Sequence, residues 1–487
     1  GVLYTPILTS KLGQAEYGLY SLVTSVISYL TILDFGFGNA IIIYTTRYRN
    51  KKEKEKEQKL HGMFFIIYSV IGIVAGIIGA ILWLNVDSLF GNTMSLAELN
   101  EAKVLMGILT FNLIITFPLS VFSSIITSYE KFVFSKTLNL IRIVVNPIVM
   151  LILLAFGYKA IALVILNTVL NIFTLILNYI YCRKKLHIKL KFGKIDFKLL
   201  REIMAYSVWI FLNSIIDKIN LNLDQFVLGI YSGSATVAIY SVAGQLNQMY
   251  MNFSTAISGV LLPKVTKMES NQASDKEFSD IFIKTGRLQY IVMALILFGF
   301  ILYGSEFINI MWVGPEYSDS YIIACILMLP MIIPLIQNVG LNILQVKNKY
   351  KYRVIILIIF AIINVLISII LSKLYGGIGA AIGTAIAMIG GTGICMNIFY
   401  QKEIKIDIIC FWKNIVKMTI PIIECMIIAL VWKLINPINS SLDLIIQIFL
   451  FTILYIILMW KFGINEYEKN IFIVLLRKII KIKERNS

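Results

Sequence analysis

Charge is sparse in this chain, histidine nearly absent, and the alternating apolar–polar pattern of half-buried strands is missing. Of 487 residues only 15% are charged and two are histidine, while 58% are hydrophobic. A soluble domain carries about 25% charge, so this composition excludes a water-soluble fold. His61 and His187 sit in basic stretches read as loops, which excludes histidine-based catalysis as a first reading. Cys182, Cys325, Cys395, Cys410 and Cys425 are scattered and form no CxxC, so neither a disulfide framework nor a metal site is indicated. No residue pattern calls for a cofactor. A net charge of +17 would suit nucleic acid, but no basic–aromatic platform accompanies it, and nucleic acid is excluded as a partner.

What remains is a series of apolar runs, many near the roughly 20 residues that cross a bilayer as helix. Thirteen complete spans are expected near 16–46, 60–84, 104–129, 134–156, 160–181, 202–229, 235–262, 288–304, 320–345, 354–372, 377–400, 414–435 and 442–461. The chain opens on Gly1 within an apolar stretch, so a clipped first span is expected over about 1–10. Of the 44 Lys and Arg, 37 fall in alternate connections. The exceptions are Lys11, Lys103, Lys159, Lys373 and Lys433 on the poor side, and Arg142 and Lys218 within spans. The rich side is therefore expected to be cytoplasmic, and both termini with it. The tail "EYEKNIFIVLLRKIIKIKERNS" is basic and amphipathic, and is expected to lie on the anionic lipids of the inner leaflet.

An internal repeat organises these spans. "GQAEYGLYSLV" (13–23) aligns without gaps on "GSATVAIYSVA" (233–243), with Gly13/Gly233, Ala15/Ala235, Tyr20/Tyr240 and Ser21/Ser241 identical. Pro118 and Pro334, and Asn146 and Asn364, recur at a similar offset. Two parallel six-span halves and two extra spans follow, with a substrate expected between the halves. The predicted fold is an all-α integral membrane protein of fourteen transmembrane helices, the first one clipped. Its parts are an N-terminal lobe over 1–185, a C-terminal lobe over 186–405, two extra helices over 406–465 and the tail over 466–487.

"LGQAEYGLYSLVTSVISYLTILDFGFGNAI" (12–41) and "DQFVLGIYSGSATVAIYSVA" (224–243) resemble signatures of bacterial polysaccharide-transport proteins, the Wzx-type oligosaccharide flippases of the multidrug/oligosaccharidyl-lipid/polysaccharide exporter (MOP) superfamily. The resemblance covers essentially the whole chain. It implies two lobes, a bacterial cytoplasmic membrane, and translocation of undecaprenyl-diphosphate-linked sugar units. A polysaccharide polymerase is an expected partner.

Candidate site residues are polar groups that a membrane makes costly. Asn213, Asp217, Asn220 and Asp224 are spaced 4, 3, 4 and share one helix face, with Lys218 beside it. A charge near the bilayer centre costs about 2.5–3.5 kcal/mol on insertion scales, so such a stripe is expected to face protein or a watery cavity. Gln245, Gln248 and Asn252 form a second stripe, and Asn139, Arg142 and Asn146 a third. The amides suit sugar hydroxyls, and Arg142 and Lys218 suit a diphosphate. Asp217, Asp224 and Glu424 are candidates for coupling to H+ or Na+. Glu424, midway along its span, is expected to point inward to the lobes, and Asp34 to cap a restarted helix. "GGIGAAIG" (376–383) lacks the strand of a dinucleotide site and reads as close packing.

The rival readings are a multidrug exporter of the same superfamily, a peptidoglycan lipid-precursor flippase, and a membrane polymerase or ligase of the same sugars. An enzyme is disfavoured because the connections on the Lys/Arg-poor side are short and contain no histidine.

Overall fold

Where water is absent a chain satisfies its backbone N–H and C=O groups within helices, and here it does so almost throughout. The computed structural model describes residues 4–193, 196–258, 265, 267–269, 271–347, 349–470 and 473. The side chains at 205–207, 209, 210, 214, 217, 220, 221 and 256–258 fall outside that description. In chain order the helices are α1 (Thr5–Leu12), α2 (Gln14–Leu30), α3 (Phe37–Asn50), α4 (Lys54–Leu84), α5 (Val86–Phe90), α6 (Leu96–Ser128), α7 (Phe132–Ala155) and α8 (Ala160–Lys184). They continue as α9 (Phe197–Ser258), α10 (Asp275–Glu306), α11 (Asp319–Ile336), α12 (Val339–Val346), α13 (Tyr350–Met388), α14 (Met396–Lys402), α15 (Ile408–Ile435) and α16 (Ser441–Leu458). Capping boxes start three of them: Ser95 with Glu98 at α6, Ser274 with Glu277 at α10, and Ser440 with Asp443 at α16.

Eleven helical stretches among the described residues are long and apolar enough to cross a membrane. The chain is a multi-pass membrane protein. The expected fourteen are not confirmed, for an identifiable reason. The predicted spans 202–229 and 235–262 flank Gly233, where the backbone is non-helical and two helices, labelled together α9, meet at a kink; the second is described as far as Ser258. Spans 354–372 and 377–400 both lie in one stretch, Tyr350–Lys402, which turns at Gly376. The stub before Gly13 is the eight-residue α1.

The repeat is written in the backbone. Gly13 has φ 78, ψ 169, and Gly233 has φ 82, ψ 176. A side chain is strained in this left-handed region, so glycine recurs at both turns. The span predicted over 16–46 is itself broken, by a 3-10 turn (Thr31–Asp34) and left-handed Phe35 and Gly36. The Phe35 ring packs 4.6 Å from that of Phe211. Asp34 accepts the Tyr68 hydroxyl at 2.5 Å, and no side chain caps the N-terminus of α3.

The chain forms two compact units, residues 1–241 with 361–380 and residues 242–360 with 381–487. Their division runs through α9 and α13, so they are not the repeat halves. In the first unit α4, α6 and α8 form the centre, around fully buried Phe64, Tyr68, Phe122 and Leu163. His61, predicted to lie in a loop, is inside α4, buried and bonded to Thr45 at 3.0 Å. In the second unit α10 is central and packs on α11, α15 and α16.

One buried ion pair ties the second unit together. Arg287 on α10 donates through Nε (2.5 Å) and Nη2 (2.9 Å) to both oxygens of Glu468, and through Nη2 to the Gly463 carbonyl at 3.0 Å. Its Nη1 reaches Asn414 of α15 at 3.3 Å. Asn465 and Glu468 cap each other at the start of the C-terminal tail, so Arg287 fixes where that tail begins. The predicted amphipathic course of the tail falls mostly on 471, 472 and 474–487, which lie outside the described residues.

Breaking a buried pair leaves an uncompensated charge, at a cost of about 3–5 kcal/mol. Arg287→Met is therefore expected to lower the thermal stability of the purified protein markedly, and Arg287→Met with Glu468→Leu to recover most of the loss. Equal stability of the single and double variants would contradict this account of the pair.

Candidate functional site

The two stretches that carry the family resemblance meet in the first unit, along a seam between α2 and α9. A Cβ built on Gly18 would lie 1.8 Å from the carbonyl oxygen of Ser234, so backbone touches backbone there. Leu22 packs against Gly229, Ser25 donates to the Asn222 carbonyl at 2.9 Å, and Thr93 donates to the Gly229 carbonyl at 2.8 Å. Ser234 also donates to Glu98 at the first turn of α6. Leu19, Leu22, Val237 and Ala238 are fully buried around these contacts. This seam lies at the Lys/Arg-poor end of the helices.

Glu16, in the same motif, braces the seam from behind. Its carboxylate is buried and accepts the Ala160 N–H at the start of α8 (2.8 Å) and the Lys159 ammonium (3.2 Å). The bond from Glu16 holds the exposed Lys159 above the usual lysine range.

Asp224 opens the second motif. It is buried, and it accepts the hydroxyl of Tyr240 from beyond the Gly233 turn, joining the two arms of α9. The polar stretch from Asn213 to Gln225 is thus part of the seam at its Asn222–Asp224 end. Asn213 and Lys218 are half-buried and engaged by other groups. Asp217 and Asn220 lie on α9, but their side chains are outside the described residues.

Arg142 belongs to a polar cluster across three helices of the first unit. Its Nη1 donates to Asn171 of α8 at 3.4 Å. Asn171 donates onward to Asn112 (2.8 Å) and Thr116 (2.7 Å) of α6. Asn146, one turn along α7, donates to Asn167 of α8 at 2.9 Å. Asn139 is exposed on the same helix. The Arg142 guanidinium makes no second hydrogen bond or ion pair to a described residue, so most of its five donors stay available. Asn112 and Thr116 were not among the sequence candidates. Their signal, two polar residues at i and i+4 beside Pro118, was present in an otherwise apolar run.

In the second unit the stripe on α9 turns away from the core. Gln248 and Asn252 are exposed and bonded to each other at 3.2 Å, and Gln245 is half-buried. The opposite side of that arm is fixed inside: Ser254 donates to the Leu335 carbonyl at 2.7 Å, and Asn338 donates to Ser254 at 2.7 Å.

Glu424 corrects an expectation. It is exposed, on a face with exposed Ile420, Ile423, Ile427 and Ile428, and does not point inward. The packed face of α15 is set by Phe411, Ile415, Met418, Ile422, Cys425 and Ala429. Each residue advances about 100° around a helix, which turns Glu424 away from that row.

The same fold is found in known proteins. A solved structure described as a lipid II flippase MurJ in an inward closed conformation superposes with a TM-score of 0.74 at 18% identity, covering 94% of this chain and 95% of that one. An inward-facing multidrug resistance MATE family transporter of the MOP superfamily gives 0.62 at 14% identity, over 82% and 94%. The chain shares the fold of these membrane transporters. The family model described as polysaccharide biosynthesis protein matches residues 1–269, and the chain belongs to that family. A putative O-antigen transporter of Shigella flexneri is 22% identical over 359 residues, 72% of this chain and 81% of that protein. These named relatives are transporters or flippases, not enzymes.

The seam makes a sharp demand on one residue. Gly18→Ala is expected to destabilise the protein by about 1–3 kcal/mol, because two backbones must separate. Gly107→Ala on α6, where a Cβ meets nothing within 4 Å, is expected to be harmless or mildly stabilising. Thermal unfolding of both variants in the same detergent checks this; equal behaviour would contradict the close approach.

Proposed function

We propose that the protein is a flippase that moves undecaprenyl-diphosphate-linked oligosaccharide units across the bacterial cytoplasmic membrane by alternating access. The observation that carries this reading is the seam between α2 and α9. Alternating access needs a barrier that closes one side of the membrane and can part without unfolding. A line of backbone contacts and single hydrogen bonds, each worth about 0.5–1.5 kcal/mol net, has that character. On the charge distribution its end is the outer one, with both termini cytoplasmic.

The substrate class follows from chemistry and family together. The polysaccharide biosynthesis family and the O-antigen transporter relative support a lipid-linked sugar. Arg142, with donors in reserve beside Asn139, Asn146 and Asn171, can hold a diphosphate in a bidentate grip. Lys218 is the second cation of the site. The amides Asn213, Gln245, Gln248 and Asn252 are proposed to suit sugar hydroxyls. A peptidoglycan lipid precursor carries the same diphosphate, so the fold likeness to the lipid II flippase favours no different cation set. A hydrophobic cationic drug would be repelled by Arg142 and Lys218. Asp217 and Asp224 are proposed to couple transport to H+ or Na+, a polysaccharide polymerase to take up the product, and anionic inner-leaflet lipids to hold the basic tail.

Arg142→Ala and Lys218→Ala are each expected to abolish export of the sugar lipid, with normal amounts of protein in the membrane. Arg142→Lys is expected to recover only part, because lysine lacks the planar fork. Wild-type export in both alanine variants would overturn the assignment. Collapsing the proton and sodium gradients separately in sealed vesicles is expected to slow flipping for one of them. An unchanged rate in both cases would rule out coupling.

A further inference from the structure

A cavity of about 530 Å3 opens in the first unit, between the last turns of α3 and the start of α9. Ile43, Tyr44, Thr46, Arg47, Asn50 and Glu202 line it. It lies at the Lys/Arg-rich end of α3, remote along that helix and α2 from the Gly18 seam. No site described above includes it.

Its lining is unusual for a helix end in contact with water alone. Tyr44 is buried and donates to Glu202 at 3.0 Å, a bond that joins α3 to α9 here. Arg47 is exposed, and its side chain makes no hydrogen bond or ion pair to any described residue. Arg49, on the same helix, is held by the protein: it donates to the Ser128 carbonyl at 2.8 Å and pairs with Glu130 at 3.9 Å. Arg47 instead offers a guanidinium to the cavity, beside a carboxylate, an amide and two hydroxyls.

That set has a defined complement. A guanidinium binds phosphoryl oxygens bidentately, and an amide, hydroxyls and a carboxylate together pair with a ring of sugar hydroxyls. The volume falls within the roughly 300–1,000 Å3 of small-molecule sites. Glu202 would repel a phosphate placed against it, which orients the occupant: phosphates toward Arg47, sugars toward Glu202 and Asn50. Near the C-terminus of α3 the helix dipole opposes an anion, but Arg49, Lys51 and Lys52 follow Arg47 directly and offset it.

We propose that this cavity is an entry docking site for the sugar-diphosphate head group, occupied before the substrate reaches Arg142. The proposal rests on the flippase reading above. Binding there would compete for the hydroxyl and carboxylate of the Tyr44–Glu202 bond, so arrival of substrate would itself loosen the contact between α3 and α9.

The test uses the full chain in lipid nanodiscs and a short-chain polyprenyl-diphosphate disaccharide as probe. Inorganic pyrophosphate and the matching polyprenyl alcohol are the comparison ligands. Arg47→Ala, at an exposed position, and Thr46→Trp, which fills the cavity, are each expected to weaken probe binding about tenfold or more, the loss of one charge-assisted contact. Binding of the polyprenyl alcohol should stay unchanged. Probe affinity within twofold of wild type in both variants would overturn the docking site and leave the flippase reading standing. Pyrophosphate binding as tightly as the probe would reduce the cavity to a free-anion site and overturn it likewise. A wild-type protein that binds no probe would overturn the flippase reading and the docking site together.

Discussion

The approach of α2 to α9 at Gly18 and Ser234 is the constraint around which the first unit is built. Two helix backbones can touch only where a side chain is missing, and here the missing side chain is that of Gly18. Everything nearby serves that contact. Gly13 and Gly233 turn the chain so that α2 and the second arm of α9 start at the same end. Leu22 fills the space beside Gly229, and Glu16 holds the N-terminus of α8 behind the seam. Residues of both signature motifs thus meet in one packing arrangement. Small residues and single hydrogen bonds are how membrane helices associate, because lipid supplies no hydrophobic drive between them.

The placement of charge follows a second rule. Groups buried in the protein are matched: Arg287 with Glu468, Glu16 with Lys159 and a helix N-terminus, Asp224 with Tyr240. Arg142 and Arg47 are not fully matched, though each sits among hydrogen-bonding partners. A structural charge has reason to be satisfied within the fold, whereas one reserved for a substrate has reason to keep donors in hand. On that contrast the two arginines stand apart from Arg287 and Arg49.

Much of this was legible in the sequence because it is periodic or local. Apolar runs placed the spans, and the aligned Gly13 and Gly233 share a backbone conformation. The kinks at Gly233 and Gly376 fall between the spans that the apolar runs separate, since a glycine at positive φ interrupts the helix there. Arg287 and Glu468 are 181 residues apart, and no local pattern connects them. The polar cluster was half seen, since Arg142 and Asn146 formed a stripe while Asn112 and Thr116 were hidden in an apolar run. The direction of Glu424 was misread because it was inferred from its position midway along the span. The recurring Phe411, Ile415, Met418, Ile422, Cys425 and Ala429, which define the packed face, were not weighed.

The central claim is that the α2–α9 seam closes one side of the membrane and must part in every transport cycle. The most direct measurement joins it covalently. In a cysteine-free background carrying Ser25→Cys and Asn222→Cys, a short reducible thiol cross-linker is applied to vesicles, and flipping is timed before and after reduction. Transport should stop on cross-linking and return when the link is cleaved. Flipping at the uncross-linked rate in fully cross-linked protein would show that the seam is a static part of the fold and not a gate.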